Sequence, residues 1–140
     1  MDVPSRLPVA RKSSFPDRIA PQLARATAVP PSGSGWVHEI KQDGHRLLAF
    51  LDRGAVRLQT RNGHDGSRRY ASIAGVLYEL PVRQAIFDGE VAVPDERGVT
   101  HIAQLERALI SGGGSLACYV FDLLFLNGRD LRHLPLLQRR

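Results

Sequence analysis

RLLAFLDRGAVRLQTR, residues Arg46–Arg61, decides the fold. Two short apolar-rich runs, RLLAFLD and AVRLQTR, flank an Asp-Arg-Gly turn, which specifies two antiparallel strands joined tightly. Just upstream, WVHEIK (Trp36–Lys41) has the same β-type character, so three adjacent antiparallel strands are expected. Its alternation places Glu39 and Lys41 on one face and Trp36, His38 and Ile40 on the other.

Downstream, SRRYASIAGVLYEL sets Tyr70, Ile73, Ala74, Leu77 and Leu80 at helical spacing, with Pro81 as the stop, and this helix should cover one face of the sheet. QAIFDGEVAVPD returns to strand. HIAQLERALI is a short amphipathic helix ended by SGGGS, and CYVFDLLFLNG is a further strand closing in an Asn-Gly turn. LPLLQRR has the character of the opening turns of a helix. The expected fold is α+β, a mainly antiparallel sheet with packed helices. Residues 1–35 hold most of the prolines and no sustained period, so they read as an extended lead-in closed by PPSGSG, with Lys12 in a solvated tail. The folded unit is expected over 36–140.

A chain of 140 residues, 43% hydrophobic and 24% charged, fits one globular domain. No apolar run is long enough to span a bilayer, since CYVFDLLFL is interrupted by Asp122, and the polar, proline-rich start lacks the plan of a secretory signal. A single cysteine, Cys118, excludes an internal disulfide and makes a reducing cytoplasm the expected location. The net charge of +5 suits a polyanion such as nucleic acid, although a genome rich in arginine codons yields the same balance.

Of the 19 lysines and arginines, only Lys12 and Lys41 are lysine. A guanidinium stays protonated at any ordinary pH, whereas an amine can lose its proton and attack an electrophile, so Lys41 is a candidate nucleophile. Read alone, KQDGHR is also simply a charged turn in which Gly44 allows the bend. In FDGEVAV, Asp88 and Glu90 share one strand face, where paired carboxylates bind a divalent cation or a ribose hydroxyl, or stay as solvated acids. Phe121 in YVFDLL alone fits a core aromatic, and Arg61 in QTRNG a surface arginine. Strand alternation aims Glu39, Lys41, Glu90 and Phe121 at one cleft.

Taken in order, EIKQDGHR, QTRNG, FDGEVAV and YVFDLLFLNG resemble the successive nucleotidyltransferase motifs of ATP-dependent DNA ligases. PQLA with PPSGSGWVHEIK, HIAQLERAL and LPLLQRR resemble the bacterial end-joining group, the ligase D type. The likeness runs from Pro21 onward. It implies an ATP-grasp-like nucleotidyltransferase domain that uses ATP and Mg2+ on nicked or broken duplex DNA during repair, with no membrane role.

Carried over residue by residue, the resemblance makes Lys41 the nucleophile that takes AMP from ATP, its amine made neutral by partial burial and nearby cationic character. Arg46 would help hold the nucleotide, and Arg61 would meet the 5′-phosphate at a nick. Glu90 would serve the ribose or the metal, Phe121 would stack on adenine, and Glu39 would line the base end of the pocket. Ile102 and Glu106 depart from the group's pattern, which tends to phenylalanine and glutamine there. Arg140 precedes two further family motifs, one Glu-Gly and one Lys-x-Lys, and the oligonucleotide-binding-fold domain, so the expected unit is the N-terminal part of an adenylation domain. Another chain supplying those motifs is then an expected partner. The alternative is an inactive fragment that only binds nucleotide or nucleic acid; RNA ligase or cap-forming guanylyltransferase is a third reading.

Overall fold

The structure, a computed structural model, describes residues 10–139. The strands are β1 (Arg11–Lys12), β2 (His45–Asp52), β3 (Ala55–Thr60), β4 (Gln84–Ala92), β5 (Ala117–Leu126) and β6 (Arg129–Asp130). The helices are α1 (Ala71–Tyr78) and α2 (Ile102–Ser111), and a 3-10 turn spans Leu136–Gln138. Among the described residues the strands form one six-stranded sheet in the order β1-β6-β5-β4-β2-β3, with every pairing antiparallel.

The expected β2–β3 hairpin is present, with Asp52 opposite Ala55 and positive φ at both central turn residues, Arg53 (49°) and Gly54 (86°). That double left-handed turn matches the right-handed twist of the strands it joins, and Asn127 (44°) with Gly128 (81°) repeats it between β5 and β6. Both expected helices form. Tyr70, Ile73 and Leu77 are buried, but α1 ends at Tyr78, so Leu80 lies beyond it and is exposed.

Period-two alternation gives the sheet two unlike faces. On one, Leu47, Ala49, Leu51, Leu58 and Val91 pack against Ile73 and Leu77 of α1 and Leu105 of α2. On the other, Leu48, Phe50, Ile86 and Phe125 pack with Ile19, and Phe15 sets its ring edge-on to Phe125 at 5.2 Å.

The lead-in is therefore part of the fold where it is described. Arg11 and Lys12 pair with Asp130 and Arg129, and Gln59 Nε2 donates to the Ile19 carbonyl at 2.8 Å. The Lys12 side chain is exposed as a tail's would be, yet its backbone is held in the sheet. Residues 1–9 of the expected lead-in lie outside the described residues.

Candidate adenylation site

The expected strand over 36–41 is absent; residues 36–44 run to the start of β2 without joining a ladder. The physical reason is topological: β2 is already flanked by β3 and β4, so the segment cannot pair with the strand it leads into, and alternation without a paired neighbour makes no strand. Ile40 is 85% exposed, and the Lys41 side chain is 89% exposed. The expected partial burial of Lys41 is thus corrected, and its Nζ lies 4.0 Å from the Asp43 carboxylate.

What holds this segment is a set of bonds that its own pattern does not announce. The Asp43 amide donates to Thr100 Oγ1 at 2.8 Å, and Asp43 Oδ2 accepts from the Ile102 amide at 2.9 Å. Helix α2 opens on His101, which makes no side-chain capping bond, so Asp43 supplies the cap from 59 residues away. Gly44 donates its amide to Glu90 Oε1 at 3.1 Å. A Cβ on Gly44 would stand 2.1 Å from the Val91 carbonyl oxygen, so only glycine lets β2 enter the sheet here. Gly44→Ala should cost about 1–3 kcal/mol through forced backbone displacement, read as a lowered urea midpoint.

On the cavity face of the sheet, Arg46 Nε and Nη2 donate to Asp88 Oδ1 and Oδ2 at 2.9 and 2.7 Å. Asp88 is 5% exposed in its side chain, so both its oxygens are committed to this fork rather than to a cation or ribose. The fork raises the Arg46 pKa and leaves the guanidinium 5.4 Å from the centre of the Phe121 ring. On β5, Asp122 lies directly opposite Asp88 and is held by a second fork, from Arg139 at 2.8 and 2.7 Å. Two carboxylates facing each other across strands would repel, and a separate arginine neutralises each.

A cavity of about 640 Å³ opens at the end of the sheet where β2 begins and β3 and β4 end. Lys41, Arg46, Arg61 and Glu90 line it, together with His45, Arg69 and Tyr70. Glu39 and Phe121 line a second cavity of about 770 Å³ with Arg46, Asp88 and Arg139. The single cleft expected for Glu39, Lys41, Glu90 and Phe121 is therefore two adjoining cavities that share Arg46, Leu23 and Ala24.

Burial raises the Glu90 carboxyl above its usual range, opposed by the Gly44 amide and by Lys41, Arg46 and His45. Among the described residues no three His, Cys, Asp or Glu side chains converge as a metal site. Glu90 is a single hard oxygen donor at the cavity, which fits Mg2+ only if phosphates and water complete its octahedron. Cys118 offers no rival nucleophile, since burial pushes its thiol up to about 11. Among the described residues no helix is long and apolar enough to cross a membrane.

The ATP dependent DNA ligase domain family matches residues 21–140, and the chain belongs to that family. Within it the likeness is to the end-joining ligase D proteins. The chain is 41% identical over 130 residues to the multifunctional non-homologous end joining protein LigD of Pseudomonas aeruginosa, covering 92% of this chain and 15% of that protein. DNA ligase C of Mycobacterium tuberculosis is 30% identical over 132 residues, covering 87% of this chain and 36% of that one. The crystal structure of the ligase domain of M. tuberculosis LigD superposes with a TM-score of 0.66 at 35% identity, over 73% of this chain and 33% of that one. A mycobacterial DNA ligase D complexed with ATP and MES gives the same TM-score of 0.66 at 34% identity. The chain thus spans well under half the length of these relatives.

Proposed function

We propose that the chain supplies the nucleotide-binding and AMP-accepting part of an ATP-dependent DNA ligase that works in break repair. The observation that carries this reading is the cavity at the strand ends, where Lys41, Arg46, Arg61 and Glu90 meet from separate segments of the sequence. The Lys41 amine gives up its proton and its lone pair attacks the α-phosphorus of ATP. A P–N bond forms, the bond from phosphorus to the bridging oxygen breaks, and that oxygen's electrons leave with pyrophosphate. Glu90 would orient the ribose or help hold a cation, and Phe121 would offer a stacking face at the adjoining cavity. Magnesium, when bound, offsets the charge that builds on the departing pyrophosphate. Arg46 acts chiefly through position, because Asp88 holds its fork. Sealing of DNA would then require the family motifs that follow, in this polypeptide or a partner.

Incubation with ATP and Mg2+ followed by peptide mass mapping should place one AMP on the peptide that contains Lys41. AMP on any other residue would overturn the assignment.

Binding to duplex DNA should be electrostatic and indifferent to sequence, because no described helix or ribbon is presented to base edges. Affinity should fall steeply with salt in fluorescence anisotropy, and strong preference among duplex sequences would contradict this.

Glu90 should also carry a stability cost. Its raised pKa means the native state favours the protonated form, so its contribution is full below the ordinary carboxylate value and is lost as pH rises through the raised value. Glu90→Gln should therefore gain urea stability relative to wild type between acidic and neutral pH, while AMP transfer falls.

A further inference from the structure

Beside Arg61 in the same cavity stands a second arginine, Arg69, whose setting differs from that of Arg46 in this cavity and of Arg139 in the adjoining one. Arg46 and Arg139 each make a two-pronged bond to a largely buried carboxylate. Arg69 makes a single hydrogen bond, Nη2 to Glu106 Oε2 at 3.1 Å, its guanidinium lies 5.8 Å from the centre of the Tyr70 ring, and its side chain is 53% exposed. Exposed one-point pairs of this kind contribute little to stability and yield readily to a stronger anion. A phosphate offers more charge than a carboxylate and a fork-shaped acceptor that suits a guanidinium.

The backbone at this point is fixed, so Arg69 is a held cation on a free arm. Tyr70 follows it as the N-cap residue of α1, is 2% exposed, and its hydroxyl lies 2.6 Å from His45 Nδ1. Glu106 does not depend on Arg69 either, because its other oxygen holds His45 Nε2 at 2.8 Å. Departure of Arg69 therefore strands no buried charge.

We propose that Arg69 is a second phosphate-binding arginine beside Arg61, parked on Glu106 and transferred to a nucleic-acid phosphate when DNA enters the cavity. This rests on the reading that DNA is the substrate. Glu106 then acts as a competing anion that lowers affinity in the unbound state and keeps the arginine aimed at the cavity mouth.

The test uses the full chain and a fluorescent duplex with a recessed 5′-phosphate, titrated by anisotropy over a range of salt. Arg69→Gln should weaken binding several-fold and reduce the slope of log affinity against log salt by about one. Arg69→Lys should keep the slope while losing affinity, and Glu106→Gln should tighten binding. Arg97→Gln, which changes the same charge at a residue lining none of the described cavities, should have a smaller effect. An unchanged slope in Arg69→Gln, with Arg61→Gln reducing it, would overturn the proposal and leave the ligase reading standing. Tightening by Glu106→Gln that persists in the double variant with Arg69→Gln would overturn it too. If wild type shows no salt-sensitive binding at all, both readings fail together, whereas AMP on Lys41 tests the ligase reading separately.

Discussion

Lys41→Arg should abolish covalent AMP, lowering the label on the order of a thousandfold or more, to background, while leaving the fold intact. The side chain is 89% exposed, so the substitution disturbs no packing, and its charge is retained beside Asp43. Only the capacity to shed a proton and form a P–N bond disappears. Label from ATP carrying the tracer at the α-phosphate, measured on protein shown to be folded by circular dichroism, isolates that capacity. Wild-type label should rise when a polypeptide bearing the later family motifs is added, because the Lys-x-Lys motif among them would add cations at the triphosphate. Equal label in wild type and Lys41→Arg would remove Lys41 from the chemistry.

Asp88→Ala should produce the largest loss of stability of any substitution at the site, about 3–5 kcal/mol, because it leaves a guanidinium with no carboxylate in a largely dry position. Asp88 is buried and Arg46 is only 21% exposed, so water replaces what is lost only in part. The effect should show in urea unfolding. Replacing both residues together, Arg46→Met with Asp88→Leu, should recover much of the stability, since a matched apolar pair strands no charge. It should not recover nucleotide binding, because the cation facing Phe121 is gone. A full loss of stability in the double variant would mean that the fork sets the sheet register itself.

The parts of the fold that were legible in the sequence are those in which local chemistry and tertiary contact agree. Asp-Arg-Gly and Asn-Gly demand left-handed turns, and both turns are there. The apolar spacing of Tyr70, Ile73 and Leu77 matches the face they bury. WVHEIK failed because alternation describes a side-chain pattern, while a strand also needs a neighbour with open backbone groups, and β2 had none left. The burial expected for Lys41 failed with it. Lys41, Arg46, Arg61 and Glu90 do meet around one cavity, while Phe121 and Glu39 sit around its neighbour. Asp43 and Glu106 were not legible as structural residues, since their partners, the Ile102 amide and His45, lie 59 and 61 residues away. No local pattern encodes such a pairing. A helix that opens on His101 without a side-chain cap was the one available sign that a distant acid was needed.

The two-residue strand β1 carries a consequence for how the chain reaches its native state. Arg11 pairs with Asp130, so a chain synthesised from its N-terminus must produce nearly the whole described sequence before this strand has a partner. Closing so long a loop is entropically slow, and it follows the formation of the central hairpin and of α1, whose contacts are local. Until then Phe125 and Ile86 lack the cover that Phe15 and Ile19 later provide. The stretch 11–19 is thus among the last described parts to settle, and it acts as a latch on the sheet face opposite the helices.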